Sequence, residues 1–185
     1  MAAKASVFIA TSLDGFIARK DGELDWLDKA NTTVPQGEDC GYIAFMESVD
    51  VLVMGRKSYE KILTFGQWPY GDKPVVVLSS NPIDISPHLA STITHSSETP
   101  EVLHARLTDQ GAKRLYIDGG VTIQRFLAAG LIHDLTITLI PILLGEGLPL
   151  FGLLEKDIKL IHIETKAFDF GFVQIKYELS PLSSD

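Results

Sequence analysis

The strongest constraint on this chain is an alternation. Short runs rich in Val, Ile, Leu and Thr take turns with stretches of helical spacing, and glycines stand at several of the joints. Strand-like runs fall at residues 5–12, 51–54, 74–78, 91–94, 114–117 and 135–140, with two longer ones at 158–166 and 172–179. Between them, Tyr42, Ile43, Phe45, Met46 and Val49 predict a helix over 39–49, and Tyr59, Ile62 and Leu63 one over 56–63. Thr99 is placed to cap a helix that opens at Pro100 and stops at Gly111. Ile123, Phe126 and Leu127 predict another over 121–129, ending before Gly130. Such an order predicts an α/β fold, a mainly parallel sheet with helices on both faces. In the last run Val173, Ile175, Tyr177 and Leu179 alternate with polar residues, and Asp169-Phe170-Gly171 reads as a turn before it. The final two strands therefore form an antiparallel hairpin at one side of the sheet. One domain over 1–185 is expected, with its core at about 5–179 and a tail at 180–185.

Composition narrows the function. Sixteen basic against 24 acidic residues leave a net charge of −8, without the basic surplus of a nucleic-acid-binding surface. The longest apolar stretch, 135–144, contains Thr136, Thr138 and Pro141 and falls far short of the roughly 20 residues that span a bilayer. The apolar run after Lys4 is too short for a secretion signal, so the cytoplasm is the expected compartment. Cys40 is the only cysteine, and the five histidines show no metal-ligand spacing, so no metal is expected.

Three turns carry the chemistry. Met54-Gly55-Arg56-Lys57-Ser58 passes from strand to helix, where free N–H groups, a glycine and two cations suit a phosphate. Asp118-Gly119-Gly120-Val121-Thr122 is a second such passage, and Leu78-Ser79-Ser80 offers hydroxyls at a third strand end. In a parallel sheet all three open on the same edge, where one extended anionic ligand could touch them together. Asp39 stands near the start of the second strand's preceding helix, as a cap or as a carboxylate facing a pocket. His133 and His162 lie in strand-like runs and are read as structural. The segment 141–151, rich in Gly, Pro and apolar residues, is placed to wall a substrate pocket or a subunit contact.

These motifs, with 9–18, 117–120 and 140–151 in the same order, resemble the dihydrofolate-reductase-like superfamily. The Asp118-Gly119-Gly120 turn and the last segment look most like the bacterial bifunctional deaminase–reductase C-terminal family, which includes the riboflavin-biosynthesis reductase. The resemblance implies a three-layer α/β/α domain with about eight central strands, NADPH as cofactor and a homodimer. It places Gly55, Arg56, Lys57 and Ser58 at the cofactor phosphates, and Leu78, Ser79 and Ser80 at the adenosine ribose. Asp118, Gly119, Gly120, Val121 and Thr122 fall at the pyrophosphate, and Ala10, Leu13, Gly15 and Ile17 beside the nicotinamide. Asp39 and Thr138 become the catalytic pair, with Trp26, Tyr42, Leu144, Gly145 and Phe151 around a small heterocyclic substrate. The implied activity is hydride transfer to that substrate, most like 5-amino-6-(5-phosphoribosylamino)uracil reduction. Dihydrofolate reduction is the nearest rival, although three glycines are usual there in place of Asp118-Gly119-Gly120. A non-catalytic nucleotide-binding or scaffold protein is the rival of another class.

Overall fold

The computed structural model describes residues 1–180; residues 181–185 of the expected tail lie outside the described residues. The elements run β1 (Lys4–Ser12), β2 (Phe16–Ala18), α1 (Asp25–Asn31), α2 (Tyr42–Glu47), β3 (Val51–Gly55), α3 (Arg56–Leu63), β4 (Val75–Leu78) and β5 (Ile93–Ser96). They continue with α4 (Pro100–Asp109), β6 (Arg114–Asp118), α5 (Gly120–Ala128), β7 (Ile132–Ile140), β8 (Leu148–Pro149), β9 (Leu160–Ala167) and β10 (Val173–Leu179). Eight strands form one sheet in the order β5-β4-β3-β6-β1-β7-β10-β9. Six pair in parallel, and β10 runs antiparallel to both β7 and β9. This is the dihydrofolate-reductase-like α/β architecture, with the antiparallel hairpin where the sequence puts it.

The central strands read as unbroken apolar runs because both faces of the sheet are covered. Along β3, Val53 packs with Ile117, Leu103, Ile123 and Phe126 on one face. Leu52 and Met54 turn to the other, against Phe45, Tyr59, Ile62 and Tyr116. The same split recurs in β4, where Val76 and Leu78 join the first group and Val75 and Val77 the second. A third cluster closes one end of the sheet around Trp26, Ile140, Phe168 and Phe172.

Three local expectations shift. The helix expected over 39–49 shortens to α2, because Cys40 and Gly41 take positive φ angles of 53° and 83° and break helical geometry just after Asp39. The strand expected at 91–94 lies two residues later, which buries Ile93 against the α2–α3 face. The short α1 and the β2–β8 ribbon have no periodic signal of their own and are absent from the sequence reading.

Register decides where function can sit. Gly55 pairs with Leu78 and Leu78 with Ser96, Met54 with Asp118, and Ser12 with Ile140. The carboxyl ends of all six parallel strands therefore line up on one edge of the sheet, which is where α/β sheets bind ligands.

Candidate active site

Two of the phosphate-compatible turns are built into each other. Gly55 precedes α3, and a Cβ at that position would lie 2.8 Å from Thr122 Oγ1. Gly119 precedes α5 with φ +88°, and a Cβ there would lie 2.4 Å from Ser58 Oγ. Each turn thus needs glycine because the first turn of the neighbouring helix occupies the space. Neither helix start has a side-chain cap, so the first N–H groups of α3 and α5 stay available side by side. In contrast, Thr99 caps α4 by accepting from the Val102 N–H. Arg56 and Lys57 are exposed at the start of α3, with Arg56 3.6 Å from Glu60. Val121 is exposed and Thr122 buried.

The third turn joins the same edge. Ser79 donates its N–H to the Ser96 carbonyl, and its Oγ accepts from the Asn81 N–H. Leu78 is buried, and Ser80 is exposed at the end of β4.

The β1–β2 turn reaches over this edge. A Cβ on Gly120 would lie 2.9 Å from Ile17 Cδ1, so Ile17 covers the start of α5. Leu13 is exposed at the tip, and Gly15 takes φ +87°. Asp14, which sequence reasoning left without a role, ties this turn to the 141–151 segment. Its carboxylate accepts from Ser12 Oγ at 2.6 Å, the Leu144 N–H at 3.2 Å and the Gly145 N–H at 2.7 Å. The Ser12 hydroxyl and these two amides hold its carboxyl below the usual carboxylate range. Leu13 N–H to Ile142 carbonyl and Leu150 N–H to Gly15 carbonyl complete the fastening. The signal was available in Ser12-x-Asp14-Gly15, a turn whose carboxylate has nearby hydroxyl support.

Beside the three turns, the face of the sheet under α2 and α3 is aromatic. Phe8 lies 4.9 Å from Phe45 and 5.8 Å from Tyr42, ring centre to ring centre, and Trp68 lies 5.2 Å from Tyr70. Asp118, at the end of β6, lies close to the Tyr42, Tyr70 and Tyr116 phenols. Burial and then the Asp118 charge raise the pKa of all three, Tyr42 to about 12. Burial also raises the Asp118 carboxyl to about 6, with the hydrogen bond from the Gly119 N–H acting in the opposite sense. No side-chain cation pairs with it among the described residues. Asp118 keeps part of its surface open to solvent, so its desolvation is partial and fixes the upward direction of the shift.

The expected catalytic pair is arranged differently from that. Asp39 accepts from the Ile43 N–H at 2.7 Å and the Gly41 N–H at 3.0 Å, and these bonds hold its carboxyl low. These two bonds, from the residue just before α2 and from its first turn, favour its ionised form. Thr138 is buried and accepts from Gln174 Nε2 at 3.0 Å; the same Nε2 also donates to the Cys40 carbonyl at 2.9 Å. Thr138 is therefore linked to the backbone next to Asp39, with no direct bond between the two side chains. Trp26 packs inside the third cluster, 2% exposed, together with Ala10 and Leu144 at its margin. Phe151 is exposed beyond the β2–β8 ribbon. His133 is structural: its Nδ1 accepts from the Ala5 N–H at 3.1 Å.

A parallel sheet with interlocked glycine turns, two uncapped helix starts and a desolvated acid on one edge defines a dihydrofolate-reductase-like domain. The chain belongs to the RibD C-terminal domain family, whose model matches residues 3–173. The Bacillus subtilis protein YwjB is 36% identical over 181 residues, covering 96% of this chain and 98% of that one. A putative riboflavin biosynthesis protein from Shewanella sp. PV-4 is 42% identical and superposes with a TM-score of 0.89 over 97% of this chain and 99% of its own. An Enterococcus faecalis dihydrofolate reductase complexed with NADP(H) shares the fold at TM-score 0.62 and 18% identity, over 97% and 99% of the two chains.

Proposed function

We propose that this protein is an NADPH-dependent reductase acting on a small heterocycle of the 5-amino-6-(5-phosphoribosylamino)uracil class. The observation that carries the reading is the cradle formed where Gly55 meets Thr122 and Gly119 meets Ser58. The two glycines let the starts of α3 and α5 pack against each other, and these uncapped starts offer a pyrophosphate their N–H groups side by side. Arg56 and Lys57 add positive charge to an acidic protein at that place. Ser79 and Ser80 stand where a ribose bearing a 2′-phosphate would extend. When bound, the reduced nicotinamide supplies the hydride.

The residues of the chain do the rest. Ile17 and the turn fastened by Asp14 close over the start of α5 and exclude water. Phe8, Tyr42 and Tyr70 present apolar surface to a flat ring. Asp118, with its carboxyl raised to about 6, holds a proton over part of the neutral range and delivers it to the sugar oxygen of the ribosylamine, which gains negative charge as the C1′–O bond breaks on reduction. Asp39, whose two amide bonds favour its ionised form, is given no part in that proton transfer.

Two measurements test the reading. Titration with NADPH should quench protein fluorescence with saturation, and loss of the cofactor absorbance should follow addition of the aminouracil and not of dihydrofolate. Rates should fall as pH rises through about 6, and Asp118→Asn should abolish that fall along with most turnover. Absence of NADPH binding overturns the cofactor; unchanged turnover in Asp118→Asn overturns the acid.

A further inference from the structure

Beside α2 the sheet carries a groove of about 290 Å³ that the cradle does not use. Its floor is a row of side chains across four strands. Phe8 pairs in register with Thr136, Thr136 with Lys176, and Lys176 with Glu164. Gln174 and Lys166 form the next pair on the same face, since residues two apart on a strand point the same way. Gly41 and Ala44 line the side formed by the α2 segment. Arg114 closes one end and is already engaged. Its guanidinium donates to Ser6 Oγ at 2.9 Å, Ser48 Oγ at 3.0 Å and Asp134 at 3.2 Å, and lies 5.2 Å from the centre of the Phe45 ring.

We propose that this groove binds a sugar phosphate, with the phosphate between Lys166 and Lys176 and the sugar hydroxyls on Gln174 and Glu164. Neither lysine forms an ion pair among the described residues, although Glu164 stands directly across from Lys176. Lys166 Nζ lies 4.4 Å from the centre of the Phe168 ring instead. The two lysines are diagonal neighbours on adjacent strands, about 7 Å apart at the backbone, so their long side chains can meet on one phosphate. In a chain with 24 acidic and 16 basic residues, such a pair is the local reversal of charge that an anion requires. The acceptors narrow the class further. Gln174 Nε2 donates to the Cys40 carbonyl at 2.9 Å and to Thr138 Oγ1 at 3.0 Å, which uses both its hydrogens and leaves Oε1 to accept. The Glu164 carboxylate is likewise unpaired and repels a bare anion, yet it accepts from the hydroxyls of a sugar. Phe8, stacked 4.9 Å from Phe45, gives the carbon face of that sugar an apolar wall.

The groove adjoins the candidate active site through Gln174, whose amide joins Thr138 to the backbone next to Asp39. Two sources supply the same chemistry: the phosphoribosyl arm of the proposed substrate, or a separate sugar phosphate. The first rests on the reductase reading and the second does not. The binding test therefore uses neither cofactor nor turnover.

Isothermal titration of the full chain with ribose 5-phosphate should show saturable binding, about fivefold or more tighter than inorganic phosphate, and ribose alone should give none. Lys166→Ala and Lys176→Ala should each weaken it about tenfold, because a charge-assisted bond to phosphate is lost. Glu164→Gln should narrow the preference over inorganic phosphate. Far-UV circular dichroism should be unchanged in all three, since none of these side chains is buried. Kinetics with NADPH and the phosphoribosylaminouracil then identify the source. A raised KM at unchanged kcat in the lysine variants puts the substrate's own arm in the groove; an unchanged KM puts a separate sugar phosphate there. Absence of ribose 5-phosphate binding at about 10 mM overturns the proposal. So do lysine variants that bind it as the parent does, or equal affinity for ribose 5-phosphate and inorganic phosphate.

Discussion

Gly119→Ala tests whether the two strand-to-helix turns form one cradle. The substitution has two costs. The backbone at 119 sits at φ +88°, where an L side chain costs about 1–2 kcal/mol. The new Cβ also lies 2.4 Å from Ser58 Oγ, so the hydroxyl or the helix start must move, an overpacking cost of about 1–3 kcal/mol. Together they come to about 2–5 kcal/mol, which for a chain of this size lowers Tm by about 5–15 °C. The two costs separate experimentally. Ser58→Ala in the Gly119→Ala background removes Oγ and leaves Ser58 Cβ at 3.5 Å, an ordinary contact. The double variant should regain the packing share and keep the backbone share. Urea unfolding of parent, both single variants and the double variant closes the cycle. If the double variant is no more stable than Gly119→Ala, the turns do not touch. If Gly119→Ala itself is neutral, the positive φ is not held.

Three further outcomes follow from the same physics. Asp118→Asn should stabilise the protein by about 1–3 kcal/mol above pH 6 and by progressively less as the pH falls toward 4. The sign follows from the raised carboxyl: between its ordinary 3.8 and about 6 the folded state holds more protons than the unfolded one, so stability falls as pH rises through that window. Thermal unfolding of both proteins at pH 4.5 and 7 checks it. Asp14→Ala should raise amide exchange at Leu144 and Gly145, since their acceptor is lost; in the parent the same rise should appear only below pH 4, because the Asp14 carboxyl is held low. Arg114→Leu should cost about 3–5 kcal/mol, as Asp134 is buried and loses its 3.2 Å partner, whereas Asp25→Asn at the exposed Arg19 pair should cost at most about 1 kcal/mol. Chemical denaturation distinguishes the two.

The sheet was legible because its information is local. Apolar runs such as Val75–Leu78, with both faces covered, mark a central strand wherever they stand. The glycines at 55, 119 and 120 were legible as joints, though their reason for being glycine lies in Thr122, Ser58 and Ile17, which are far away in sequence. What escaped was set by tertiary contacts. Positive φ angles at Cys40 and Gly41 move the start of α2 and bring the Ile43 N–H to the Asp39 carboxylate. The β2–β8 ribbon exists only because Gly147 lets that segment approach the Ala18 carbonyl, where a Cβ would lie 2.4 Å away. The raised carboxyl of Asp118 comes from its desolvation in the folded chain, so no pattern around position 118 discloses it.

That last point locates the chemistry within the fold. A glycine at position 118 would leave the end of β6 as bare backbone and the aromatic face without an acid. Aspartate there adds one carboxyl with no cation to neutralise it, and burial raises it until it carries a proton near neutrality. The cost falls on stability, and the gain is an acid at the point where the aromatic face meets the cradle. The two amide bonds that fix Asp39 favour its ionised form, so Asp118 is the better placed of the two to hold a proton. On the proposed reading, the proton source therefore sits at the end of β6, between the two glycine turns.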